Sequence, residues 1–364
     1  MIFNKVSEKD IPSLYTANEQ TVNRVMQQYK TIIQGRLEFG TQKSYDSVTK
    51  MFIQRLETYY KTDMFLKYED IFNEEDLSLE IPRYVGQVTD KAFKGTTSLL
   101  AYCAQFAVAG SIRGWLINEG DILHYEVMEP LGDKGAVQSF VKGRNLVKVK
   151  GKENEAISAL TKAIEKYDRH AQAYERRAKV NFIMRNYHDA MRDYNKCIAI
   201  DPTIPTAYYG KAKLHMMKQE WNDAIDNLEE SIKKSIAHQP IYWKSRKLKA
   251  ECHIQLKQWD KAAFDLNLFT KRAFKDSDPN KFWQRWSFYQ LGLVQMMLED
   301  YHEAIKALDK ALALPEAPDQ VTEADMLTLR GEAKLKAGKN GYAKDLKDAE
   351  ARGSVRAGNL LTRL

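Results

Sequence analysis

The second half of the chain repeats a pattern of small and apolar residues. A small residue recurs within one helical run of each unit, at Ala156, Ala190, Ala224, Ala262 and Ala304. The interval is about 34 to 42 residues, which is the period of a stacked helix pair. Four of these alanines have a second small residue about twelve positions upstream, and these are Ala178, Ala212, Ala250 and Gly292. Two antiparallel helices approach closely where both carry small side chains, so the pattern predicts helix pairs in contact at these positions.

Each predicted helix pair is apolar on two sides and must stack on its neighbours, which gives a solenoid with a concave groove. The pattern resembles the tetratricopeptide repeat over residues 136–352, with about six units of which the first and last are degenerate. The resemblance implies that the first helix of each pair lines the groove. It implies no role for the residues before 136.

The resemblance places a mixed set of lysine, aromatic and methionine side chains in the groove. The predicted groove residues are Lys179, Phe182, Tyr209, Lys213, Met216, Met217, Lys244, Lys247, Trp286, Tyr289, Leu293 and Met296. Such a wall suits a peptide or protein ligand that offers apolar anchors and acidic groups. A second interpretation of the methionines remains open, because a solenoid core also uses Met to fill gaps between helices.

A different pattern precedes the repeats. Apolar residues at helical spacing predict amphipathic helices over Glu19–Leu37, with Thr16 or Asn18 as its cap, and over Gln42–Lys61. The apolar segment Ser98–Ile117 is predicted as a central helix. Two loosely alternating segments predict short strands, Leu77–Val85 and Ile122–Met128. The overall prediction is a predominantly all-α chain, in which a mostly helical N-terminal domain with a small β element precedes the α-solenoid.

Charge supports a division of the 364 residues near Pro130. Acidic residues outnumber basic ones up to that point and basic residues predominate after it, within a net charge of +7. We therefore predict two domains, 1–130 and 131–364, the second suited to an acidic partner. Three cysteines, an odd number without metal-site spacing, predict a reducing, cytoplasmic location. The longest apolar run, Ser98–Ile112, is too short for a membrane span.

Signals of chemistry are weak in this sequence. No phosphate-binding glycine loop, dinucleotide motif or zinc-protease helix occurs. Asp121, His124 and Glu126 form an acid–His–acid cluster, but on a strand Asp121 would not share a face with the other two. His215 and His253 occupy equivalent repeat positions without further ligands at suitable spacing. The sequence therefore predicts no catalytic residue, no metal and no cofactor.

The predicted function is that of a non-enzymatic adaptor or scaffold, which binds a protein or peptide in the solenoid groove. One alternative is an enzyme or effector in residues 1–130 that the repeats regulate. Another is an RNA- or DNA-binding solenoid, since basic residues cluster at the junction of the two halves, at Lys142, Arg144, Lys148, Lys150 and Lys152.

Overall fold

The computed structural model describes residues 27–60, 64–132, 134–315 and 321–364. Within these ranges the chain divides into two compact units. One unit runs up to Ala107 and continues through Ser111–Pro130, and the other comprises Val108–Gly110 and Leu131–Leu364. No helix in the described ranges combines the length and the apolarity needed to cross a bilayer.

A five-stranded sheet forms the centre of the N-terminal unit, with the strand order β2-β3-β1-β4-β5. Antiparallel ladders join β1 to β3, β2 to β3 and β4 to β5. The strands are β1 (Gln28–Glu38), β2 (Phe72–Asn73), β3 (Ser78–Thr89), β4 (Ala109–Asn118) and β5 (Asp121–Met128). The helices of this unit are α1 (Gln42–Tyr59), α2 (Tyr68–Ile71) and α3 (Asp90–Ala104). Their apolar faces share one buried cluster with the sheet, which includes Phe52, Phe93 and Leu116.

The prediction of a helix over Glu19–Leu37 is wrong where the structure describes it, because this segment contains β1. The strand is buried continuously from Thr31 to Glu38, so its apolar residues do not alternate with exposed ones. Buried strands of this kind resemble helices in sequence. Arg36 is accommodated inside by ion pairs of 2.7 Å to Glu38, Asp76 and Glu80. The first part of the predicted helix, with its caps Thr16 and Asn18, lies outside the described residues.

Of the remaining N-terminal predictions, three are confirmed and one is partly wrong. The helix predicted over Gln42–Lys61 is confirmed as α1, and the two predicted strands are confirmed within β3 and β5. The predicted helix Ser98–Ile117 is wrong in its second half, because α3 ends at Ala104 and β4 starts at Ala109. Gly35 allows the close approach of β4 to β1. A Cβ at this position would lie 2.2 Å from the Ser111 carbonyl oxygen, so only glycine fits here.

Helix pairs form the second unit, as the sequence predicts. Among the described residues the pairs are α4 (Gly135–Leu146) with α5 (Glu153–Lys166), α6 (Ala171–Ile183) with α7 (Tyr187–Ile200), α8 (Pro205–Met217) with α9 (Trp221–Lys234), α10 (Pro240–Gln255) with α11 (Trp259–Lys271), α12 (Gln284–Met297) with α13 (Tyr301–Ala313), and α14 (Glu323–Lys336) with α15 (Tyr342–Ala351). A short helix, α16 (Val355–Leu361), packs on α15. The prediction of a predominantly helical chain with an N-terminal β element is confirmed.

The small residues lie where the helices of a pair touch. Ala178, Ala190, Ala212, Ala224, Ala250, Ala262 and Ala304 are all 0% exposed. A Cβ at Gly292 would lie 2.7 Å from Leu308 Cγ, so this position also requires a small residue. The degenerate first unit uses Gly143 in the same way, since a Cβ there would lie 2.6 Å from Leu160 Cγ.

Candidate ligand-binding groove

Residues of the first helices of three successive repeats line a cavity of about 470 Å³. We call it the α6–α8–α10 cavity. Five of the predicted groove residues lie on its wall, namely Lys179, Phe182, Tyr209, Lys213 and Lys244. Its other lining residues are Glu175, Arg176, Ile183, Arg185, Tyr187, Tyr194, Thr206, Gly210 and Ile241. The structure therefore brings together cations and aromatic rings in one concave site.

The three lysines of the cavity have no carboxylate partner among the residues that the structure describes. Lys179 is exposed, whereas Lys213 and Lys244 are half-buried. The Lys213 Nζ lies 4.0 Å from the centre of the Phe182 ring, a cation–π contact that holds the ammonium group at the cavity wall. Burial lowers the pKa of Lys213, and the positive charges of Lys179 and Lys244 lower it further.

At the base of the cavity, a large side chain on α7 fits against a glycine on α8. Tyr194 occupies a position where four other repeats have leucine, and its ring needs space on the facing helix. Gly210 provides this space, because a Cβ there would lie 2.1 Å from Tyr194 Cζ. Beside them, Glu175 is buried and pairs with Arg176 at 3.2 Å. Burial, with a contribution from the Glu251 charge, raises the pKa of Tyr209 to about 12, so this phenol is neutral at pH 7.

The next part of the predicted groove, on α10 and α12, is built differently. Lys247 is only 9% exposed, and its Nζ lies 2.5 Å from Glu251 Oε1. The same Nζ is 4.2 Å from the centre of the Trp283 ring and 4.4 Å from that of Trp286. This lysine is enclosed by internal partners, which leaves no exposed ammonium group for a ligand. Trp286, Tyr289 and Leu293 are half-buried.

The two methionine pairs divide between the interior and the surface. Met216 is half-buried and packs against the apolar cluster around Ala212. Met296 is 8% exposed and belongs to the apolar cluster around Ala304. Their neighbours Met217 and Met297 are each 52% exposed. Ile183, at the equivalent position of an earlier repeat, is 55% exposed. The first methionine of each pair thus fills the solenoid core, and the second is accessible.

The two histidines at equivalent repeat positions take part in turns. His215 Nδ1 lies 2.7 Å from Glu220 Oε2, and His253 Nδ1 lies 2.8 Å from Gln258 Oε1, five residues further along in both cases. Asp223 brings a third ligand-type atom near the first pair, with the three atoms within 4.8 Å of one another. Because the same turn recurs with a glutamine in place of the acid, we interpret the contact as structural.

In the N-terminal unit the acid–His–acid cluster is not drawn together. His124 instead pairs with Asp90 at the start of α3, with 2.8 Å between His124 Nε2 and Asp90 Oδ1. The ladder between β4 and β5 is irregular beside it, since Leu116 pairs with His124 and Ile117 with Ile122. The pair of Asp90 and His124 therefore ties β5 to a helix.

Comparison with known proteins identifies the repeats. The family model for the tetratricopeptide repeat matches residues 171–204 and 287–318, which cover α6 with α7 and most of α12 with α13. The chain therefore contains tetratricopeptide repeats, and the recognition made from the sequence is confirmed. No curated protein matches the sequence.

Among solved structures, YrrB, described as a tetratricopeptide repeat protein with an unusual peptide-binding site, is 19% identical, with a TM-score of 0.47 over 56% of this chain and 98% of its own. The pilF protein of Pseudomonas aeruginosa is 16% identical, with a TM-score of 0.47 over 64% of this chain and 99% of its own. A tetratricopeptide repeat protein from Parabacteroides merdae is 14% identical, with a TM-score of 0.38 over 88% and 98%.

Proposed function

We propose that this protein is a non-enzymatic scaffold that holds a peptide segment of a partner protein in the solenoid groove, with the α6–α8–α10 cavity as the principal contact. The bound segment carries apolar side chains and acidic groups. Residues 131–364 form the domain that carries this function, and residues 1–130 form a second domain. The protein acts in a reducing cytoplasm, which agrees with its three cysteines being free and buried.

One observation carries the proposal: three lysines converge on an aromatic wall and have no carboxylate partner in the described part of the chain. Gathering like charges in a partly desolvated site costs free energy, and an anionic ligand offsets that cost. The rings of Phe182, Tyr187 and Tyr209 supply apolar contact area beside the charges. A segment with both kinds of group complements the site.

The test uses full-length protein and a displayed library of random twelve-residue peptides. We expect the selected peptides to combine acidic with apolar residues. Binding of the best peptide is then measured by fluorescence anisotropy. Tyr209→Ala should weaken it by about 2 kcal/mol, as truncation of an aromatic anchor does. Lys213→Ala should slow association and reduce its dependence on salt.

Lys196→Ala is the matched control, because this exposed lysine on α7 does not line the cavity. It should change neither the affinity nor the salt dependence. A single-stranded RNA oligonucleotide provides the competing arm. For an RNA ligand, the slope of log affinity against log salt concentration should become smaller by about one unit for each lysine removed. If RNA behaves in this way, and Tyr209→Ala has no effect on the binding of any ligand, the nucleic-acid alternative replaces our proposal.

A further inference from the structure

The α6–α8–α10 cavity carries more positive charge than one carboxylate can balance. Its lining includes five basic side chains and a single acidic one. The acidic one, Glu175, is buried and already paired with Arg176. The cationic groups that remain for a ligand are Lys179, Lys213, Lys244 and Arg185.

The number of ammonium groups also exceeds what one carboxylate can accept well. A carboxylate spreads one charge over two oxygens. A phosphate monoester carries about −1.5 to −2 at pH 7 and offers three strong acceptor oxygens. Lysine binds such groups as a mobile point charge, so three lysines on separate helices can each approach a different oxygen. The count of donors therefore matches a phosphoryl group.

We propose that the α6–α8–α10 cavity receives a phosphorylated side chain of the bound segment, with the phosphoryl oxygens at Lys179, Lys213 and Lys244. This inference rests on the proposed function and specifies the anionic group. The neighbouring wall determines what carries the phosphate. Phe182, Tyr187, Tyr209 and Ile241 present apolar surface to the same space, so an aromatic carrier, as in phosphotyrosine, makes more contact than a serine.

The electrostatics of the cavity agree with this assignment. Burial, together with the charges of its two cationic neighbours, lowers the pKa of Lys213. A dianion at the centre of the three ammonium groups reverses the neighbours' effect and favours the protonated form. The cavity volume of about 470 Å³ lies within the usual range of small-ligand sites and is large enough for one aromatic side chain with its phosphate.

Isothermal titration of the full-length protein with four small probes tests the inference. The probes are N-acetyl-phosphotyrosine amide, N-acetyl-phosphoserine amide, N-acetyl-glutamate amide and inorganic phosphate. We expect the phosphotyrosine probe to bind at least about tenfold more tightly than the glutamate probe. Phosphoserine should fall between them, and inorganic phosphate should bind more weakly than phosphotyrosine because it lacks the ring.

Variants then locate the site. Lys213→Met and Lys244→Met should each weaken the phosphotyrosine probe by about tenfold, whereas the control Lys196→Met should not. Lys213→Arg keeps the charge and should retain most of the affinity, which separates loss of charge from loss of fold. Circular dichroism of each variant provides the second measurement of folding.

Four results would overturn the inference. Equal affinity for the glutamate and phosphotyrosine probes would show that a single carboxylate is sufficient. Inorganic phosphate binding as tightly as phosphotyrosine would indicate a site for free phosphate. Binding that Lys213→Met and Lys244→Met leave unchanged would place the phosphate elsewhere. Selected peptides that need Tyr209 and Lys213 without any gain from phosphate would sustain the proposed function and refute the inference alone.

Discussion

Two lysines on the first helices of neighbouring repeats have opposite surroundings. Lys213 on α8 projects from the wall of the α6–α8–α10 cavity, over the Phe182 ring and close to two other lysines. Lys247 on α10 is enclosed by Trp283 and Trp286 and bound to Glu251. One part of the groove therefore keeps its cation available, and the next part uses its cation as a packing element.

The difference follows from the residue one helical turn further on. Glu251 is four positions after Lys247, and residues at this spacing are neighbours on a helix surface. The cavity lysines instead have apolar residues four positions later: Ile183 after Lys179, Met217 after Lys213, and Leu248 after Lys244. Lys179 has Glu175 four positions before it, but that carboxylate is buried and pairs with Arg176. The comparison teaches that a lysine on the predicted groove face indicates a ligand site only when its own helix does not neutralise it.

The comparison of Lys213 with Lys247 requires the helix register that places each of them on the first helix of its repeat. Ala224 is 0% exposed and packs against Ala212 and Leu228 between α8 and α9. Ala224→Leu should reduce the free energy of unfolding by about 2–3 kcal/mol through overpacking. Thermal and urea unfolding measure the change, and Ala351→Leu, at an exposed helical position, is the control. An unchanged melting temperature for Ala224→Leu would contradict the register.

The enclosed lysine provides the second prediction. Lys247→Met removes two cation–π contacts and leaves Glu251 without the ammonium group that lies 2.5 Å from it. We expect a loss of about 1–2 kcal/mol in the free energy of unfolding, the size of a partly desolvated cation–π contact. Urea denaturation is the measurement. A neutral or stabilising result would mean that Lys247 is not a packing element and would remove one side of the comparison.

The cavity lysine should respond with the opposite sign. Lys213→Met relieves repulsion from Lys179 and Lys244 and removes a desolvated charge. It also loses the cation–π contact with Phe182, which a sulfur–aromatic contact of the new methionine offsets. We expect the ligand-free protein to gain about 0.5 kcal/mol, the scale of a like-charge pair on a helix, since solvent screens the exposed groups. Raising the salt concentration should shrink the gain. Destabilisation by Lys213→Met, in parallel with Lys247→Met, would show that the two lysines play the same role.

The smallest effect is a dependence on pH. The folded-state pKa of Lys213 is lowered from 10.5, so its charged form destabilises the folded protein at neutral pH. The gain from Lys213→Met should be complete at pH 7 and disappear as the pH rises through the lowered pKa toward 10.5. Unfolding of wild type and variant at several pH values measures the difference, which cancels the titration of groups that do not interact with Lys213. A constant difference up to pH 11 would contradict a lowered pKa.

The helix pairs could be predicted because the same pattern of residues occurs in several repeats. A buried small residue appears at each helix contact, so chance similarity at one unit is corrected by the next, even where Gly143 or Gly292 replaces alanine. The N-terminal unit has no such repetition. There the segment with β1 carries one apolar run, and burial along its length removes the alternation that identifies a strand.

The candidate site was predicted in the same uneven way. The sequence placed Phe182, Tyr209 and the cavity lysines on the predicted groove face, because their helix positions recur from repeat to repeat, and in the structure they line one cavity. It did not identify the contact between the Tyr194 ring and Gly210 at the cavity base, because this contact is visible only when the two helices are packed together. It also assigned Lys247 and Met296 to the groove, although both are buried.

The sequence by itself determined the helix pairs, their small contact residues and the face of each first helix that is predicted to line the groove, since these depend on spacing along one chain. Beyond the carboxylate of Glu251 one turn after Lys247, tertiary structure decided how far each cation is enclosed. The fate of Lys247 depends on Trp283 and Trp286, more than thirty residues away in the chain. The convergence of Lys179, Lys213 and Lys244 requires three helices to stack. Burial and contacts between helices depend on neighbours in space, and spacing along the chain does not specify them.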